Sequence, residues 1–117
     1  MLVAPHLQSG RRASEANEHL ALIGCHKFHP TDAEAFRAIA AASVQPTRAK
    51  DECLHYAFAE DVTERGLFRV AERWRDRKAL DAHLTSPDLA ETLRQAGELD
   101  NTERQITTFT TSKGQSL

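Results

Sequence analysis

Glu72-Arg73-Trp74-Arg75-Asp76-Arg77-Lys78-Ala79-Leu80-Asp81-Ala82-His83-Leu84 is the stretch on which the fold turns. It opens on the end of a strand. From Leu67 to Trp74 the side chains alternate, so Phe68, Val70, Glu72 and Trp74 face one way and Leu67, Arg69, Ala71 and Arg73 the other. Asp76 then stands where a helix N-cap belongs, because its carboxylate can accept a free backbone N–H of the next turn. In that helix Leu80, His83 and Leu84 share one face by the three-and-four spacing. A Glu, a Trp and a His are therefore expected to point into the space between a strand and its helix.

Toward the C-terminus, Ser86-Pro87-Asp88 restarts a helix, with Ser as N-cap, Pro at the first position and Asp near the positive end of the dipole. Leu89, Leu93 and Ala96 are its expected buried stripe and Gly97 its close. Thr102 to Thr111 reads as the last strand and residues 112–117 as a frayed tail. Toward the N-terminus, Asp61 to Gly66 reads as a hairpin loop after a strand from Cys53 to Glu60. Simple alternation there puts Leu54, Tyr56 and Phe58 on one face and Cys53, His55 and Ala57 on the other. The preceding helix carries the stripe Phe36, Ile39, Ala40, Ser43 and Val44. Thr31 with Glu34 predicts a capping box at its start, and Pro46 predicts a stop or kink at its end. His19 to His29 alternates with apolar residues in both sets, the mark of a strand covered on both faces. Residues 1–18 are polar and aperiodic and read as a flexible extension.

The order is β-α-β-β-α-β, so the expected fold class is α+β: a ferredoxin-like antiparallel sheet with its helices on one face, in one domain spanning residues 19–111. The other sheet face, with Leu67, Ala57 and Ala71, is left uncovered in a single copy. An apolar sheet face marks an interface, and a homodimer packed sheet to sheet is expected.

The 117 residues suit one domain with a sizeable core. Net charge is -2 and the fifteen basic residues are interleaved with acidic ones, so no basic patch argues for nucleic acid. Two cysteines without a CxxC neighbour, and no apolar run long enough to span a bilayer, point to a cytoplasmic protein with reduced thiols and no membrane partner. Cys25, His26, His29, Cys53 and His55 invite a metal reading. Alternation puts His26 on the opposite face from Cys25 and His29, and no usual zinc spacing is present, so no metal is expected.

Glu72-Arg73-Trp74-Arg75-Asp76, Ala79-Leu80-Asp81-Ala82-His83-Leu84 and Ser86-Pro87 resemble the E-x-W, A-L-x-A-H-L and (S/T)-P signature of the antibiotic biosynthesis monooxygenase domain. The resemblance covers roughly Leu20 to Thr111. It implies a dimeric α+β barrel and a pocket between sheet and helices. It also implies O2-dependent oxidation of an electron-rich aromatic such as a quinol, typically without a cofactor. Two departures stand out. Lys50-Asp51-Glu52 replaces a Glu-Pro-Gly type turn, and Asp88 follows Ser86-Pro87 where many members carry a second His. The first strand also lacks the Asn that the haem-degrading branch uses there.

His83 is the leading catalytic candidate, as general base or as hydrogen-bond donor to a substrate oxygen. The plainer reading is a structural bond to Glu72. Glu72 itself is read as orienting His83 or accepting a substrate proton, against an ion pair as its plainer role. Trp74, His26 and Tyr56 are the substrate-binding candidates, Trp74 by stacking on a flat ring, with core packing as the competing use of Trp74 and Tyr56. Two other functions fit the same scaffold: a non-catalytic small-molecule-binding protein, and an isomerase of a small carbonyl compound.

Overall fold

The computed structural model describes residues 18–117. Strand β1 (His19–Phe28) leads through a short 3-10 turn (Pro30–Asp32) into helix α1 (Ala33–Arg48). The hairpin β2 (Cys53–Glu60) and β3 (Leu67–Trp74) follows, then helices α2 (Arg77–Leu84) and α3 (Pro87–Ala96), and strand β4 (Asn101–Thr111). The strands form one antiparallel sheet in the order β2-β3-β1-β4. This is the expected α+β fold. The expected extension falls almost wholly on residues 1–17, outside the described residues. Among the described residues no helix is long and apolar enough to cross a membrane.

Register fixes the two faces. Leu20 lies opposite Trp74, Leu22 opposite Glu72 and His26 opposite Phe68, so these side chains share the face that the helices cover. One core cluster there joins Leu20, Leu22, Tyr56, Trp74, Ala79 and Leu80; a second joins Phe28, Ala33, Phe36, Ala40 and Phe68. Phe36 stacks on Phe28 at 4.3 Å and meets Phe68 edge-on at 4.8 Å. Each such buried ring contributes roughly 1.5–3 kcal/mol. On the other face Ile23 and Phe109 stay 58% and 50% exposed. A hollow of about 420 Å³ lies among Ile23, Cys25, Ala57, Arg69, Ala71 and Thr107.

Several local expectations are overturned. Simple alternation fails at the start of β2. Cys53 pairs with Trp74 and His55 with Arg73, so Leu54 is an extra, bulged residue. The bulge turns Cys53 onto the core and leaves Leu54 exposed. No capping box forms. His29 Nδ1 accepts the Thr31 backbone N–H and bonds the Thr31 hydroxyl, and Asp32 precedes α1 without a side-chain cap bond. Asp32 instead accepts from the Asp100 N–H at 2.8 Å, tying the start of α1 to the approach to β4. Pro46 neither stops nor splits α1, which runs two residues further, to Arg48. At that point in the last turn a missing N–H removes one bond only.

The helix around His83 forms as read, with Asp76 accepting the Ala79 N–H at 2.8 Å. Leu80 and His83 are buried, whereas Leu84 remains half exposed. The expected stripe of α3 is not buried, and Leu93 stays 49% exposed. The reason is position: α3 lies against α1 and not over the sheet, touching the core through Ala96. Beyond Thr111 the chain forms no further element, although Arg73 donates to the Lys113 carbonyl at 3.2 Å.

Candidate functional site

The predicted Glu72–Trp74–His83 group does assemble. Alternation on β3 puts Glu72 and Trp74 on the covered face, and α2 lays His83 over them. The Trp74 and His83 rings stack at 4.6 Å with 27° between planes. Tyr56, from β2, meets His83 edge-on at 5.7 Å. All four are buried: Trp74 is 1% exposed, His83 and Tyr56 2%, and Glu72 8%.

The partners differ from the plain reading of the sequence. Glu72 accepts a bond of 2.9 Å from Trp74 Nε1, which gives the indole the acceptor a buried Trp needs. His83 takes its side-chain bond from a residue that periodicity did not single out. Lys50 Nζ lies 3.0 Å from His83 Nδ1. Lys50 sits in the turn between α1 and β2, closed by Lys50 N–H on the Thr47 carbonyl and Cys53 N–H on the Lys50 carbonyl. The same ammonium reaches Ser86 Oγ at 3.2 Å and Asp88 Oδ2 at 3.0 Å. Ser86 in turn donates to the His83 carbonyl at 2.7 Å and accepts the Leu89 N–H. The signal in the sequence was indirect. Lys50 and Asp88 both lie at departures from the signature that the sequence resembles, and the fold brings them together.

Burial sets the proton chemistry. Desolvation, then the Lys50 charge, pulls the His83 imidazole down to about 4. Desolvation raises the Glu72 carboxyl, opposed by the Trp74 bond and by Lys50. The Tyr56 phenol is pushed up to about 12, chiefly by burial and then by Glu72. At neutral pH the cluster therefore offers a neutral imidazole, a neutral phenol and a carboxyl whose basicity exceeds that of a solvated one.

His26 stands apart. Its ring packs on Phe36 at 5.9 Å, Phe58 at 6.3 Å and Phe28 at 6.4 Å. Burial and then Arg104, its neighbour across β4, lower its pKa. Phe58 links the two groups, since it also meets Tyr56 at 5.5 Å. A smaller hollow of about 230 Å³ lies beside it, among Arg37, Ala40, Val44, Phe58, Glu60 and Phe68. Cys25 and His26 lie on opposite sides of the sheet, and no group of three metal-ligating side chains occurs among the described residues.

The comparisons with known proteins agree with this architecture. The model of the family described as antibiotic biosynthesis monooxygenase matches residues 20–95. An uncharacterised protein of Synechocystis is 30% identical over 102 residues, covering 87% of this chain and 69% of its own. A candidate monooxygenase of Mycobacterium tuberculosis, Rv0793, is 38% identical over 80 residues, 68% of this chain and 78% of that one. The solved structure of Rv0793 superposes with a TM-score of 0.75 at 33% identity, covering 84% of this chain and 99% of the other. A candidate antibiotic biosynthesis monooxygenase of Deinococcus radiodurans superposes at 0.74 with 26% identity, over 84% and 95% of the two chains.

Proposed function

Since this chain belongs to the antibiotic biosynthesis monooxygenase family, we propose that it oxidises a small aromatic, quinol-type substrate with O2, the substrate itself supplying the electrons. The observation that carries the reading is the buried Glu72 carboxyl beside a neutral His83 imidazole, both held against Trp74. Deprotonation is the step such chemistry needs, because the anion of a quinol or anthrone passes an electron to O2 far more readily than its neutral form. Glu72, made more basic by burial, takes the substrate proton. His83 donates a hydrogen bond to the substrate oxygen as charge builds there. Low polarity around Trp74 and Tyr56 strengthens both interactions. Substrate enters beside the hollow at Phe58, with Tyr56 and His26 on the approach. The functional unit is a homodimer joined through the open sheet face.

One observation favours a second reading, a binding protein without catalysis: the cluster is packed shut and a His83 ring nitrogen is already engaged by Lys50. Oxygen uptake separates the two. The purified protein is given a panel of quinols and anthrone-like compounds with a chelator present, and wild type is compared with His83→Ala. Saturable uptake that falls at least tenfold in the variant, about 1.4 kcal/mol of barrier, supports the oxygenase. Uptake no faster than the buffer blank across the panel favours the binding protein, and a thermal-shift ligand screen then follows.

A further inference from the structure

We infer that Lys50 is the positioning residue of this site: its ammonium locks His83 in the tautomer that carries its proton on Nε2. The argument is one of valence. A lysine ammonium has three N–H donors and no acceptor. Among the described residues three acceptors surround Nζ: His83 Nδ1 at 3.0 Å, Asp88 Oδ2 at 3.0 Å and Ser86 Oγ at 3.2 Å. Each N–H therefore has one partner, and the bond to His83 runs from Lys50 to the ring. Nδ1 must present its lone pair, so the neutral ring bears its hydrogen on Nε2.

Two alternatives are costly. Turning the proton to Nδ1 would set an N–H against an N–H at 3.0 Å. Charging the ring would place a second cation against the first in a site almost closed to water. The remaining groups around the ring do not change this. Tyr56 from β2 is a neutral phenol, Trp74 from β3 contributes its ring face, and Glu72 accepts from Trp74 Nε1. Among the described residues Asp88 of α3 is the carboxylate paired with the ammonium, and it holds Lys50 in place.

His83 is thus a hydrogen-bond donor through Nε2 and not a proton acceptor at neutral pH. This deepens the oxygenase reading, but only its catalytic consequence rests on that reading. The lock itself is a property of the resting protein.

The experiment is long-range ¹H–¹⁵N NMR of the histidine rings across pH, on wild type, Lys50→Met and Asp88→Asn, with the His83 signals assigned by their absence in His83→Gln. Wild type is expected to show an unprotonated Nδ1 and a protonated Nε2 down to about pH 5. Lys50→Met should mix the tautomers and let His83 take up its proton at a pH about one unit higher. Asp88→Asn, which keeps the donor, should preserve the wild-type tautomer. A wild-type ring protonated on Nδ1, or one that titrates like a solvated histidine, overturns the lock without recourse to any variant. Oxygen uptake is read in parallel. A locked ring without uptake favours the binding protein and spares the lock, whereas uptake with an Nδ1-protonated ring supports the oxygenase and overturns the lock. Where uptake is seen, Lys50→Met should lower kcat more than it raises KM and should shift the acid limb of the pH profile.

Discussion

His83 links the site to folding stability. Its folded pKa of about 4 lies below the ordinary 6.5. Between those values the unfolded chain binds the proton and the folded one does not, so stability rises with pH across that window. The contribution is fully present above about 6.5 and is lost as pH falls toward 4, with a size of roughly 3 kcal/mol at most. Glu72 acts with the opposite sign, because its raised pKa lets the folded state hold a proton longer. Urea unfolding of wild type and His83→Gln from pH 4 to 8 isolates the histidine: the stability difference should be largest near pH 7 and shrink toward pH 4. Parallel curves would mean that the imidazole titrates normally. Trp74→Phe probes the neighbouring bond. It keeps an aromatic ring but strips Glu72 of its indole N–H donor, and should cost about 1–3 kcal/mol. The same change in a Glu72→Leu background should cost less, as a double-mutant cycle would register. Glu72, Trp74 and His83 were legible because periods of two and 3.6 suffice to aim them at one space. Lys50 was not, because it lies thirty-three residues from His83 in a turn, where no period constrains a side chain.

At the scale of elements, what could be read was whatever depends on near neighbours along the chain. Each element and the caps at Asp76 and Ser86 follow from local spacing. The bulge at Leu54, the lost capping box and the half-exposed α3 do not. Each is decided by a distant partner: β3 for the bulge, the approach to β4 for Asp32, and α1 for α3. Gly24 belongs with these. A Cβ there would lie 2.1 Å from the Gln105 carbonyl oxygen and 2.8 Å from Ile106 Cα, so β1 and β4 approach this closely only because residue 24 has no side chain. Gly24→Ala must push β4 outward, with an expected loss of about 3 kcal/mol or more. Denaturation midpoints would report the loss, and hydrogen exchange should be accelerated chiefly in β4. An unchanged midpoint would show that β4 yields freely and that its register contributes little.

For the whole molecule the open sheet face is the deciding feature. The sequence announced it, since β1 is apolar in both of its alternating sets, and one layer of helices can cover only one of them. Ile23 and Phe109 stand exposed there, and Ala57 lies opposite Ala71 beside the 420 Å³ hollow. Small residues at the centre with larger apolar ones toward the side make a surface that a second copy can fill with its own raised side chains. A stable dimer needs on the order of 1,200–2,000 Å² buried in total, which a four-stranded face can supply. Ala71→Glu is the discriminating change. Its side chain points away from the helix-covered core, so the subunit should still fold, yet a dimer would have to bury that carboxylate without a partner. Light scattering across a concentration series should give twice the chain mass for wild type and the single-chain mass for the variant, with matching circular dichroism. Wild type that stays monomeric at every concentration would remove the dimer and leave the apolar face to another partner. A variant that stays dimeric would move the interface to another surface, with β4 at the sheet edge the first place to look.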